Sequence, residues 1–111
     1  MRLKAGSIIW VDLDPVKGHE QAGRRPAVIV SGNIFNRLKD TVFICPITNT
    51  DRQFPLHRQL PKELKTTGFI MCDQIRTIST SARNAEYIED LPENILKDVL
   101  NIIVGILEDN E

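Results

Sequence analysis

Apolar residues fall in short dense runs through most of the chain, then settle into a helical rhythm near its end. Ser7-Ile-Ile-Trp-Val-Asp-Leu13 is β-branched and aromatic with few polar breaks, which predicts a strand covered on both faces. Ala27-Val-Ile-Val-Ser31 predicts a second short buried strand. Thr41-Val-Phe-Ile-Cys45 predicts a third, with Pro46 marking its edge or a bulge near its end. Between them, Gly32-Asn33 is turn chemistry and Ile34 to Leu38 suits one helical turn. Phe54 to Leu60 alternates weakly and reads as an edge strand, followed by a polar connector from Lys62 to Lys65. Thr67 to Cys72 predicts a further buried strand. It runs directly into Asp73-Gln-Ile-Arg-Thr-Ile78, where Ile75 and Ile78 anchor a segment presenting Asp73, Gln74 and Arg76. Arg83 to Ile88 makes the last short strand.

Pro92 and Glu93 suit the first turn of a helix. From there Ile95, Leu96, Val99, Leu100, Ile102, Ile103, Ile106 and Leu107 recur at spacings of three and four. At about 100° per residue they span roughly 160°, wider than the ~100° stripe of an ordinary surface helix. One side must pack on the sheet. The surplus width points to a second contact such as a dimer partner, or to a deep seat on the sheet. Many short strands followed by one helix predict an α+β, mainly β fold: a small, strongly curved sheet or open barrel with short helices and a C-terminal amphipathic helix. The 111 residues suit one domain, spanning 1–111.

The segment from Asp14 to Arg25 interrupts this pattern. It is a long loop between two core strands and holds Gly18-His-Glu-Gln-Ala-Gly-Arg-Arg-Pro26. Loops of this length without secondary structure are usually functional or disordered. A solvated hairpin loop and a functional loop fit its composition equally well.

Composition removes several classes. No apolar stretch approaches a membrane span and no signal-peptide core opens the chain, so a cytoplasmic protein without membrane contact is expected. Cys45 and Cys72 form no C-x-x-C and read as buried reduced thiols. His57 reads as an exposed strand histidine without a catalytic role. The two His and two Cys match no zinc spacing, and the acids do not cluster as a magnesium site would, so neither a metal nor another cofactor is expected. Phosphate-loop, dinucleotide and serine-elbow motifs are absent as well. The net charge of −1 hides an asymmetry: residues 1–83 carry 13 Lys/Arg against 7 Asp/Glu, whereas residues 84–111 carry one Lys against 8 Asp/Glu. A basic body can attract phosphate-rich partners, and an acidic helix face can be simple solvated surface.

What remains is an arginine-rich set without metal ligands. RNA can be cut without metal because its own 2′-hydroxyl attacks the adjacent phosphorus. The protein must then hold the phosphate, stabilise the growing negative charge and move protons. Arginine suits the first two tasks, and histidine titrates in the useful range for the third. On composition alone this stays one possibility among several.

Gly6-Ser-Ile-Ile-Trp-Val-Asp12, Asp14-Pro15, Gly18-His-Glu-Gln-Ala-Gly-Arg-Arg-Pro26, Cys45-Pro-Ile-Thr48, Asp73-Gln-Ile-Arg-Thr-Ile78 and Leu91-Pro-Glu93 occur in that order. On these motifs, which cover nearly the whole chain, the sequence resembles the MazF/PemK/Kid family of toxin endoribonucleases from type II toxin–antitoxin systems. The resemblance implies an SH3-like β barrel acting as a homodimer. It also implies metal-free, sequence-specific cleavage of single-stranded RNA, chiefly mRNA, to 2′,3′-cyclic phosphate and 5′-hydroxyl ends. A cognate antitoxin would block the RNA site, and operator DNA would be reached only through the antitoxin complex.

Carried over by motif, Arg25 and Thr48 match the pair that one branch of the family uses: Arg25 on the scissile phosphate, Thr48 on a phosphate oxygen or the 2′-hydroxyl. A turn-capping threonine is the structural alternative for Thr48. Another branch uses a histidine of the first loop, an arginine just before the Cys-Asp, and that aspartate. Here His19 and Asp73 match, but Met71 stands in the arginine's place, and a thioether neither donates a proton nor binds phosphate. Catalytic weight therefore moves to Arg25, with His19 a proton carrier or base contact. Asp73 is either a base or an orienting group for Arg76 and backbone amides. Glu20, Gln21, Gln74 and Arg76 are expected to position RNA, with Arg24 a solvent-side phosphate contact. The rival from another class is a non-catalytic toxin of the same fold that binds a protein such as DNA gyrase. A plain nucleic-acid-binding barrel is a third.

Overall fold

The computed structural model describes residues 3–13 and 23–108, so His19, Glu20 and Gln21 lie outside the described residues. Along the chain come β1 (Ser7–Asp12), β2 (Arg24–Ile29), α1 (Asn33–Leu38), β3 (Thr41–Thr48), β4 (His57–Gln59) and β5 (Phe69–Met71). A 3-10 turn (Cys72–Gln74), β6 (Arg76–Ser79), β7 (Glu86–Asp90) and α2 (Glu93–Leu107) complete it. Every strand pairing is antiparallel. The sheet runs β4-β5-β3-β2-β1-β7, with β6 also on β3, and is open, with β4 and β7 at its edges.

β3 organises this sheet. One flank pairs with β2; the other pairs with β6 over Thr41–Ile44 and then with β5 over Ile47–Thr48. Pro46 lies at that changeover, where its missing N–H removes no rung from the second flank. This is why the strand runs on to Thr48 and does not stop at Cys45. β2 likewise begins earlier than its hydrophobic run suggests. Arg24 and Arg25 are strand residues opposite Asp12 and Val11, and Pro26 is accommodated because the rungs to β3 begin only at Ala27.

Two further segments differ from expectation. Residues 76–79 form a true strand on β3. The last strand starts at Glu86, not Arg83, because a turn intervenes: Arg83 N–H donates to Ser79 O at 3.0 Å and Asn84 takes a left-handed φ of 53°.

Both faces of the sheet are buried. On one, Ile8, Val28, Cys45, Ile47 and Ile70 meet Ile95, Val99 and Ile103 of α2. Each such helix side chain contributes roughly 1.5–3 kcal/mol by leaving water. On the other, Ile9, Val11, Ala27, Ile29, Val42, Ile44 and Ile78 pack together as the sheet curls. Cys45 and Cys72 are free and buried. Burial pushes the Cys72 thiol up to about 12, with the Asp73 charge adding to it, and raises Cys45 as well, so both act as small core hydrophobes. Among the described residues no helix is long and apolar enough to cross a membrane.

Candidate active site

The curled face changes character along its length. Alternation places Ala27 and Ile29 of β2, Val42 and Ile44 of β3, and Ile78 of β6 in one apolar cluster. The same period carries Arg25, Thr48 and Arg76 onto that face, where the apolar rows end. The β2–β3 rungs pair Ala27 with Pro46 and Ile29 with Ile44. Carried two residues further, this register sets Arg25 opposite Thr48. The guanidinium confirms the approach: Arg25 Nη1 donates to Ile47 O at 3.2 Å, next to Thr48.

Thr48 is 5% exposed, and its Oγ1 accepts the Thr50 N–H at 3.2 Å. That bond caps the turn leaving β3 and uses an oxygen lone pair, so the hydroxyl proton is still available to donate. Arg76 sits on β6 opposite Ile44. Its Nη1 and the Oε1 of Gln74 are buried without a hydrogen-bond partner among the described residues.

Asp73 belongs to the 3-10 turn between β5 and β6 and bonds the imidazole of His57, Nε2 to Oδ1 at 3.2 Å. His57 was expected to be exposed; its side chain is only 5% exposed, with the Phe54 ring edge-on at 5.1 Å. Its strand carried no helical or motif signal to mark it. The clue open to sequence reasoning was the run of aromatic, proline and histidine at the sheet edge.

The described residues that flank the 14–22 segment, which carries His19, Glu20 and Gln21, are joined across β1 and β2. Asp12 pairs with Arg24 across β1 and β2, and Leu13 N–H donates to Gly23 O at 3.0 Å. Arg24 itself is held by carboxylates. Its Nη1 donates to Asp12 Oδ1 and to Asn84 O, each at 3.0 Å, and its Nη2 to Glu86 Oε1. Asn84 Nδ2 completes the knot by donating to Asp12 Oδ2 at 2.8 Å. These bonds, from Asn84 first and then Arg24, hold the Asp12 carboxyl below its ordinary range. Among the described residues, no cluster of three or more His, Cys, Asp or Glu is placed to hold a metal ion.

The family model of the PemK-like, MazF-like toxins of type II toxin–antitoxin systems matches residues 4–107. The chain belongs to this toxin family. The toxin is 38% identical to Endoribonuclease PemK of Escherichia coli over 109 residues, covering 95% of this chain and 82% of that protein. The crystal structure of MazF from Deinococcus radiodurans superposes with a TM-score of 0.89 at 30% identity, with 96% of each chain covered. A MazE-MazF structure from the same organism gives a TM-score of 0.81 at 26% identity, covering 95% of this chain and 94% of that one. The toxin thus shares the mainly β fold of these proteins, an open antiparallel sheet with a C-terminal helix.

Proposed function

We propose that this toxin is a metal-independent endoribonuclease that cuts single-stranded RNA through its own 2′-hydroxyl. The observation that carries this reading is the approach of Arg25 to the end of β3 beside Thr48, on the face that also holds Arg76. The RNA 2′-oxygen attacks phosphorus as its proton passes to the Asp73 carboxylate, and the bond to the 5′-oxygen breaks. The products are a 2′,3′-cyclic phosphate and a 5′-hydroxyl.

Arg25 binds the scissile phosphate and neutralises the charge that grows on it. Thr48 donates its hydroxyl proton to a phosphate oxygen. His19, on the segment rooted at Asp12 and Arg24, delivers a proton to the leaving oxygen. Glu20, Gln21, Gln74 and Arg76 position the strand. Arg24, already matched by two carboxylates, fixes the root of this segment in preference to holding RNA.

The E. coli relative is named an endoribonuclease, which favours RNA cleavage over a protein-binding poison. Membership of a toxin–antitoxin family, together with the MazE-MazF structure, supports a cognate antitoxin as the partner that blocks this face. The working form is a homodimer in the cytoplasm.

Single-turnover cleavage of a long RNA tests the assignment of Arg25. Arg25→Ala should remove at least about a hundredfold of the rate, the scale lost when one charge-stabilising donor goes. Arg25→Lys should recover only a small part, because an ammonium keeps the charge without the planar fork. Equal rates for wild type and Arg25→Ala, with circular dichroism unchanged, would remove Arg25 from the chemistry.

A further inference from the structure

We infer that His57 is the positioning residue for Asp73, and that the two form a carboxylate–imidazole pair serving RNA cleavage; this rests on the endoribonuclease reading above. Cross-strand register places His57 on the working face. His57 lies opposite Met71, and β5 in turn sets Phe69 opposite Thr48, so His57, Met71, Phe69 and Thr48 share one side of β4, β5 and β3. The neighbour Arg58 points the other way, where it pairs with Asp98 of α2 at 3.2 Å.

An imidazole buried to this degree is held in one orientation. The Phe54 ring packs against it at 5.1 Å, and Nε2 meets Asp73 Oδ1 at 3.2 Å. The carboxylate is half open, with 31% of its side chain exposed. Donation from His57 to Oδ1 fixes the plane of the carboxylate and leaves Oδ2 to face the RNA. A base that must take a proton from a 2′-hydroxyl gains from this fixing, because misplacement by about 1 Å can cost about a hundredfold in rate. His57 touches Asp73, and Asp73 touches the substrate.

The test compares wild type, His57→Ala and His57→Gln in steady-state cleavage of a short fluorogenic RNA. Glutamine places an N–H donor near the position of Nε2 and cannot act as an imidazole. His57→Ala should lower kcat about tenfold or more with KM changed less than about twofold, and His57→Gln should restore most of kcat. In the wild type, the proton on His57 Nε2 should give a downfield NMR resonance that moves upfield in Asp73→Asn, a readout that needs no activity. Full kcat in His57→Ala, or loss confined to KM, would overturn the inference. Equal loss in Ala and Gln variants of native stability would overturn it as well. Intact RNA with wild-type toxin beside a normal Nε2 resonance would instead refute the endoribonuclease reading.

Discussion

A methyl group added at Gly68 would fall 2.3 Å from the carbonyl oxygen of Thr48, at a backbone φ of +119°. Both the close approach and the positive φ exclude a side chain there. Asn49 Oδ1 accepts the Thr67 hydroxyl at 2.9 Å beside it, so the turn carrying Thr48 is held from two directions. Gly68→Ala should therefore cost about 2–4 kcal/mol, from backbone strain and overpacking together. It should also lower RNA cleavage by moving the Thr48 hydroxyl. Urea denaturation checks the first effect, and an unchanged midpoint would show that the turn yields without loss. Arg25 and Thr48 could be named from the motif, but their approach could not, because it depends on the register of β2 against β3.

At the scale of elements, the 61–68 connection is fastened to β7 by one carboxylate. Glu89 Oε1 accepts the Lys65 N–H at 3.1 Å, and Oε2 accepts the N–H and hydroxyl of Thr66 at 2.8 and 2.7 Å. Burial pushes the Glu89 carboxyl up, but these bonds and the Lys65 charge outweigh it, and it lies below its ordinary 4.5. The sign follows from linkage. A folded value below the unfolded one adds stability above the ordinary value, and that stability is lost as pH falls through the folded value. Glu89→Gln should thus lower the urea midpoint at pH 7, and the gap to wild type should narrow at acid pH below the ordinary glutamate range. A gap that stays constant with pH would contradict the clamp.

Strands β1 and β3 and helix α2 were legible in their hydrophobic runs, as were the existence of β5 and the buried cysteines. The start of β2 was not, because Arg24, Arg25 and Pro26 carry loop chemistry that cross-strand partners override. β6 is legible only as an anchored segment, since four residues with three polar side chains give no periodic signal. The surroundings of His57 are not legible in sequence, because its ring and carboxylate contacts, Phe54 and Asp73, are not its strand partners.

For the whole molecule, α2 carries two apolar stripes. Ile95, Val99 and Ile103 face the sheet, while Leu100, Val104 and Leu107 lie on the outside, with Leu107 76% exposed. The homodimer proposed above would place a second copy of the toxin over this outer stripe. Val104→Glu should give a monomer in sedimentation at micromolar concentration with unchanged circular dichroism; a wild-type monomer of 12.6 kDa would contradict the dimer. The proposed chemistry is tested most directly by incubation of purified toxin with a long RNA in EDTA, followed by analysis of the fragment ends. Discrete cuts bearing 5′-hydroxyl and 2′,3′-cyclic phosphate ends are expected, absent with Arg25→Ala. Intact RNA at high toxin excess on several unrelated transcripts would contradict it, as would cleavage that appears only when magnesium is restored.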